Sequence, residues 1–143
     1  MARPRARQYA IGVDYGTNSV RALVVDVGDG AEVATHVCNY PSGQQGILLD
    51  RKDPNLARQN PADYIEGFFR SVRGALRAAR NARGFRPEQV IGIGVDTTGS
   101  TPIPVDQSGM PLALQPKFKK HLAAHAWLWK DHTGHAEAAE ITQ

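Results

Sequence analysis

The sequence predicts an α/β layer built on a mixed sheet. Three observations carry that prediction. Three runs of strand-type residues follow one another between residues 9 and 40, separated by tight turns. One long amphipathic helix then opens at Asn60 and Pro61. A single apolar run over residues 90–95 comes after it. A strand reached through a helix lies parallel to the strand it joins, so the sheet is mixed.

The elements follow in order. Residues 1–7 carry Arg3, Arg5 and Arg7 and read as a disordered basic tail. Tyr9 to Val13 is an apolar run ending in Asp14, and residues 20–27 form a second run rich in β-branched residues. Gly28-Asp29-Gly30 is a strong turn signal. Residues 32–40 alternate, with Val33, Thr35, Val37 and Asn39 on one side. Strands joined by such short turns make an antiparallel meander. Residues 41–60 are polar and rich in Pro, Gly, Gln and Asn, and are expected to form one long connection.

The helix is the clearest element. Asn60 suits the N-cap, Pro61 the first helical position, and Asp63 the orphan N–H groups of the first turn. Ile65, Phe68, Phe69, Val72, Ala75, Leu76 and Ala79 are expected on its buried face. Arg70, Arg73, Arg77 and Arg80 occupy a mostly opposite arc, read as a solvated face. Gly84 is the stop signal. The run over residues 90–95 ends in Asp96 and is expected in the centre of the sheet. Residues 97–101 form a hydroxyl-rich turn. Two strand-like pieces, 103–106 and 111–114, flank Gln107-Ser108-Gly109. Lys117, Lys119 and Lys120 mark a basic loop, Trp127-Leu128-Trp129 is apolar, and a helix is expected from Glu137. No internal repeat stands out.

Composition excludes several classes. The chain has 143 residues, 41% hydrophobic and 22% charged, which suits one globular domain with a real core. The net charge of +3 is mild and partly local to the tail, and no stacking aromatics interleave with the Arg residues, so nucleic acid is not an expected partner. Cys38 is alone, which leaves no disulfide or multi-Cys zinc site; it reads as a small buried hydrophobe. His121, His125, His132 and His135 lie close in sequence but lack Cys or ordered carboxylate partners, and read as a His-rich surface. With no apolar signal region and no apolar run of spanning length, no membrane is expected, and the expected location is cytoplasmic.

The stretch from Ile11 to Arg21 holds the chemistry. A nucleotide polyphosphate needs backbone N–H groups, short hydroxyl donors and a metal ion that cancels charge. Gly16 lets a backbone approach closely, and Thr17, Asn18 and Ser19 supply side-chain donors. Arg21 adds positive charge, and Asp14 suits Mg²⁺ directly or through water. Neither a Walker loop nor a dinucleotide fingerprint is present. The same residues also describe an ordinary hairpin with a polar turn.

Asp14-Tyr15-Gly16-Thr17-Asn18-Ser19-Val20-Arg21, with Asp26 after it, is similar to the first phosphate motif of the actin-like ATPase superfamily, which includes sugar kinases, chaperones and actin. The run from Ile91 through Asp96-Thr97-Thr98-Gly99-Ser100-Thr101-Pro102 to Asp106 resembles the matching segment of the FGGY carbohydrate kinases. Trp127-Leu128-Trp129-Lys130-Asp131-His132-Thr133 and Gln59 to Glu66 fit the same family.

The resemblance implies a ribonuclease-H-like mixed sheet with flanking helices. Residues 8–143 would be the first, truncated part of the N-terminal domain of an FGGY kinase. It implies ATP and Mg²⁺ as cofactors, with Asp14 at the metal and Gly16, Thr17, Asn18, Ser19 and Arg21 at the phosphates. Thr98, Gly99, Ser100, Trp129, Lys130 and Asp131 would line or flank the sugar, with Trp129 beside C–H groups and Asp131 accepting from hydroxyls. The wording of these segments resembles the members that phosphorylate L-ribulose, and related ketopentoses or pentitols are neighbouring choices. The family's general base lies beyond Gln143, so no catalytic residue is assigned. Asp96 is given a structural or supporting part. The remainder of the kinase chain becomes a partner, and its absence is expected to leave apolar surface open to self-association. The competing class is a non-catalytic nucleotide-binding or chaperone-type ATPase module.

Overall fold

The computed structural model describes residues 7–142. The chain runs β1 (Tyr9–Tyr15), β2 (Ser19–Asp26), β3 (Glu32–Asn39), β4 (Leu48–Leu49), β5 (Ala57–Gln59), α1 (Pro61–Ala79), β6 (Val90–Thr97), β7 (Ala126–Trp127) and α2 (His135–Ile141). Two compact units divide it, one through residue 39 together with 66–97, the other 40–65 together with 98 onward. Residues 1–6 of the expected tail lie outside the described residues. Its last member, Arg7, holds Nε 3.7 Å from Oδ2 of Asp26. Among the described residues, no helix is long and apolar enough to cross a membrane.

The first unit is a four-stranded sheet in the order β3-β2-β1-β6. β1 and β2 pair antiparallel, as do β2 and β3, while β6 runs parallel to β1. Side chains alternate between faces, so register decides what meets what. Ile11 lies between Val24 and Ile93, and Val13 between Ala22 and Val95. Ile11, Val13, Ala22 and Val24 are at most 3% exposed. Each large aliphatic residue so buried contributes about 1.5–3 kcal/mol. The opposite face carries Gly12, Asp14, Arg21, Leu23, Gly94 and Asp96. The order of three antiparallel strands, a helix and a parallel strand is the one expected.

The position of β6 differs from expectation. It is an edge strand, not a central one. Its apolar composition reads as a strand flanked on both sides, but among the described residues none pairs with its outer edge. Ile91, Ile93 and Val95 are therefore 58%, 51% and 59% exposed.

Helix α1 starts as the sequence dictates. Oδ1 of Asn60 accepts the Ala62 N–H at 3.1 Å. Asp63, expected at the first-turn N–H groups, instead turns its carboxylate to Ser42, whose N–H and hydroxyl it accepts at 3.1 and 2.8 Å. The buried face is rotated from the expected one. Ala75 and Ala79 are buried, Phe68, Val72 and Leu76 are half-buried, and Ile65 and Phe69 are exposed. Gly67 and Ser71 are buried instead. The reason is close approach on small residues: a Cβ on Gly74 would sit 2.2 Å from the His36 ring on β3. Hydrophobic periodicity overlooks a contact face made of Gly, Ser and Ala. Arg70, Arg73, Arg77 and Arg80 are exposed, and Arg70 pairs with Glu66 at 2.5 Å. After the helix Gly84 takes φ +87°, which a non-Gly residue resists, and Phe85 packs edge-on against Tyr9 at 4.9 Å. Cys38 is half-buried rather than fully buried.

The second unit has a sheet of its own, in the order β4-β5-β7. The stretch 41–60, expected as one loop, supplies two of its strands. Strands of two and three residues are too short to show a period. Ile47, Ala57 and Leu128 form its small core. The two strand-like pieces expected around residue 108 reduce to one bridge, Val105 to Pro111, and residues 112–114 wind into a 3-10 turn. Helix α2 begins at His135, two residues before the expected start.

The turn after Val105 is closed by one carboxylate. Oδ1 of Asp106 accepts the Ser108 hydroxyl and N–H at 2.6 and 2.9 Å and the Met110 N–H at 3.1 Å, and Oδ2 accepts from Gln115 at 2.7 Å. The Ser108 hydroxyl, then the Met110 N–H, hold its carboxyl below the ordinary value of 3.8. A depressed folded value means the turn's contribution is complete above pH 3.8 and is lost as pH falls through the lower folded value. Carboxyl-carbon NMR titration is expected to show Asp106 titrating below the ordinary value of 3.8; a midpoint at or above that value contradicts the turn.

Candidate active site

In the first unit, register assembles a row of charged groups. β1 places Asp14 opposite Arg21 of β2 on one side and opposite Asp96 of β6 on the other. Neighbouring strands lie about 4.8 Å apart, so the three side chains rise side by side from one face. All three are exposed. Beneath them Gly12 and Gly94 face each other across the strands, and no atom lies within 4 Å of where their Cβ atoms would be. The result is a shallow cleft of about 480 Å³, floored by bare backbone and lined by Asp14, Arg21, Leu23 and Asp96.

The structure brings Asp96, for which a structural or supporting part is expected, beside Asp14. The signal was present in the sequence. Ile11-Gly12-Val13-Asp14 and Ile93-Gly94-Val95-Asp96 are the same four residues, and the parallel ladder pairs them residue for residue. Oδ1 of Asp96 accepts the Thr97 N–H at 2.9 Å, and the residue lines the cleft.

The hairpin tip stands at the end of this row. Gly16 donates its N–H to the Ser19 carbonyl at 2.9 Å and so closes the turn. That N–H is committed to the hairpin. Thr17 and Ser19 are half-buried and Asn18 is exposed. Burial pushes the hydroxyl of Tyr15, at the end of β1, above its ordinary value, so it stays protonated.

In the second unit, one backbone hydrogen bond links two of the segments expected at the sugar. Thr98 is half-buried, and Gly99 and Ser100 are exposed. Ser100 holds φ +55°, a left-handed conformation that costs a non-Gly residue about 1–3 kcal/mol. Two residues on, the Pro102 carbonyl accepts the Trp127 N–H at 2.9 Å, which ties this turn to β7 and the segment after it. Trp129 is 57% exposed and Lys130 is half-buried.

Asp131 points the other way. Its side chain is 4% exposed and paired with Arg58, itself 3% exposed. Oδ2 also accepts the Ala57 N–H at 2.7 Å, and Oδ1 accepts the Thr133 N–H and hydroxyl at 3.2 and 2.5 Å. Its acceptors are given to protein, not presented to a sugar hydroxyl. Arg58 stacks over the Trp127 ring with its central carbon 3.8 Å from the centroid. Burial pulls its guanidinium below the ordinary value, and the Asp53 charge opposes that pull. Sequence reasoning missed Arg58 altogether, because nothing local marks a partner so distant along the chain. Further carbonyls complete the lacing: Leu128 donates to Ala57 at 3.1 Å and His132 to Asn55 at 2.8 Å. Gln59 is also buried and accepts from the Tyr64 hydroxyl at 2.7 Å. Burial and then the Asp63 charge push that hydroxyl well above its ordinary value, so it remains a donor.

Residues 9–140 match the FGGY family of carbohydrate kinases, N-terminal domain. The chain belongs to that family. It is 43% identical over 138 residues to a ribulokinase of Geobacillus thermodenitrificans, covering 92% of this chain and 23% of that protein. It is 38% identical over 137 residues to a ribulokinase of Vibrio parahaemolyticus, covering 96% and 24%. The FGGY chain thus spans about a quarter of the length of these relatives. Among solved structures it superimposes on a gluconate kinase and on a ligand-bound xylulose kinase, both from Lactobacillus acidophilus. Their TM-scores are 0.67 and 0.66 at 15% and 16% identity, covering 95% and 94% of this chain and 22% of each. The fold is the actin-like ATPase fold of these sugar kinases, a mixed sheet with flanking helices.

The Arg58–Asp131 pair carries a stability prediction. Removing one partner leaves the other charge buried and alone, which costs about 3–5 kcal/mol. Arg58→Met and Asp131→Asn are each expected to lose about that much in urea unfolding. A loss under about 1 kcal/mol, the range of exposed pairs, contradicts a buried clamp.

Proposed function

We propose that this chain is the N-terminal portion of an ATP-dependent kinase that phosphorylates L-ribulose to L-ribulose 5-phosphate in the cytoplasm. The observation that carries the catalytic part is the Arg21–Asp14–Asp96 row over a bare glycine floor. The choice of L-ribulose rests on the two relatives named as ribulokinases.

The donor set fits a hydrated Mg²⁺. That ion keeps several waters and takes one or two carboxylates. Asp14 and Asp96 supply two, and among the described residues no group of three His, Cys, Asp or Glu forms a cage. When bound, Mg²⁺ with ATP supplies the transferable phosphoryl group and cancels its charge. Asp14 and Asp96 would hold the hydrated ion. Arg21 holds phosphate oxygens from the adjacent strand. Thr17, Asn18 and Ser19 offer short donors at the hairpin tip, where Gly16 keeps the turn tight. Gly12 and Gly94 let the polyphosphate approach the strands.

In the sugar half, Thr98, Gly99 and Ser100 present a small, backbone-rich wall suited to an open-chain ketose. Trp129 offers an aromatic face to C–H groups and Lys130 a donor to hydroxyls. Asp131 acts on this segment from inside, by fixing its path. Ribulose, related ketopentoses and pentitols share the chemistry this wall reads. Phosphoryl transfer depends on positioning and charge, and the proton acceptor for the sugar hydroxyl comes from the remainder of the kinase.

The test uses the chain alone and joined to the rest of its kinase. The 143-residue chain is expected to release no ADP with ATP and ribulose in a coupled assay. The joined enzyme is expected to turn over, and Asp14→Ala to cost it about 100- to 1,000-fold in kcat. An undiminished Asp14→Ala enzyme, or turnover by the short chain, overturns the proposal.

A further inference from the structure

A second cleft, of about 520 Å³, lies wholly within the second unit and takes no part in the site above. Its size is that of a small-ligand pocket. Leu48, Leu114 and Leu122 give it apolar walls, and Lys119, Lys120 and His125 give it polar ones. No carboxylate lines it. Asp63, next to the lining residue Ala62, is turned to Ser42, whose N–H and hydroxyl it accepts. The charge of the cleft is therefore positive.

His125 decides what kind of ligand this suits. The residue is 5% exposed, yet it lines the cleft. Its Nδ1 lies 3.0 Å from the His121 carbonyl, which can only accept, so Nδ1 carries the proton and donates. In the neutral ring Nε2 is then a lone-pair acceptor. No donor from the described residues meets it, and it is open at the cleft, where it can accept from a ligand. The two lysines suit an anion and the histidine suits a hydroxyl. The Leu walls suit the C–H faces of a short carbon chain.

We propose that this cleft binds a hydroxylated phosphomonoester, a sugar phosphate of pentose size. Lys119 and Lys120 hold the phosphate, and His125 Nε2 accepts a sugar hydroxyl. The site is separate from the phosphate-holding hairpin and goes beyond the kinase reading.

The test is an NMR titration of the 143-residue chain with three probes: ribose 5-phosphate, inorganic phosphate and ribose. Ribose 5-phosphate is expected to shift Lys119, Lys120 and His125 saturably, and to bind about tenfold tighter than inorganic phosphate through the added hydrogen bond. Ribose alone is expected to bind weakest. Lys119→Ala with Lys120→Ala weakens both phosphate probes. His125→Asn keeps a side-chain N–H for the His121 carbonyl and removes Nε2; it is expected to bring ribose 5-phosphate down to the level of inorganic phosphate and leave the latter unchanged. The ¹⁵N shift of His125 Nε2 in the unsubstituted chain reports the same contact without a variant. No saturable shift at these residues, equal affinity for the two phosphate probes, or an Nε2 shift that ignores ribose 5-phosphate overturns the proposal.

Discussion

The constraint on which the first unit depends is the register of β1 between its two neighbours. Ile11 and Val13 are buried because Val24, Ala22, Ile93 and Val95 stand beside them. The same register, read on the other face, brings Arg21, Asp14 and Asp96 into a row. Because side chains alternate, core and site are fixed by one choice. A slip of one residue would bury the carboxylates and expose the aliphatics. Folding free energy therefore enforces the geometry of the charged row. Few of the row's own interactions need to hold it.

The second unit is organised differently. Its strands are short and its apolar core is small, so polar bonds carry much of the order. The Arg58–Asp131 pair, its backbone N–H partners and the stacked Trp127 hold the segment that leads to Trp129 and Lys130. A buried pair of this kind adds little net stability over an apolar equivalent, but it favours one geometry over others. That specificity would suit the sugar-binding role proposed for this segment, since an exposed Trp on a loosely held loop would not present a fixed face.

How much of this was legible in the sequence follows from the range of each interaction. The hairpin, the meander and the capped start of α1 are local, and their turn and cap residues declare them. The parallel sense of β6 follows from the helix before it. Its edge position does not, because apolar content shows only what a strand can bury. The buried face of α1 differs from the hydrophobic pattern because Gly67 and Ser71 are buried and Gly74 makes close contact through smallness, which a hydrophobic pattern does not count. The strands within 41–60 and the Arg58–Asp131 pair depend on partners far along the chain. Asp96 is the instructive case. Its Ile-Gly-Val-Asp twin at residues 11–14 is visible in the sequence, and a parallel pairing of the two was enough to place it beside Asp14.

The claim that Asp14 and Asp96 act together on one cation is tested most directly with Mn²⁺ as a paramagnetic probe of the 143-residue chain. Sub-stoichiometric Mn²⁺ is expected to broaden the amide signals of Asp14 and Asp96 together, with Gly12, Gly94 and Arg21 next, and excess Mg²⁺ to restore them. Broadening of one carboxylate strand without the other, or only at acidic groups elsewhere such as Asp29 and Asp50, would contradict a shared site.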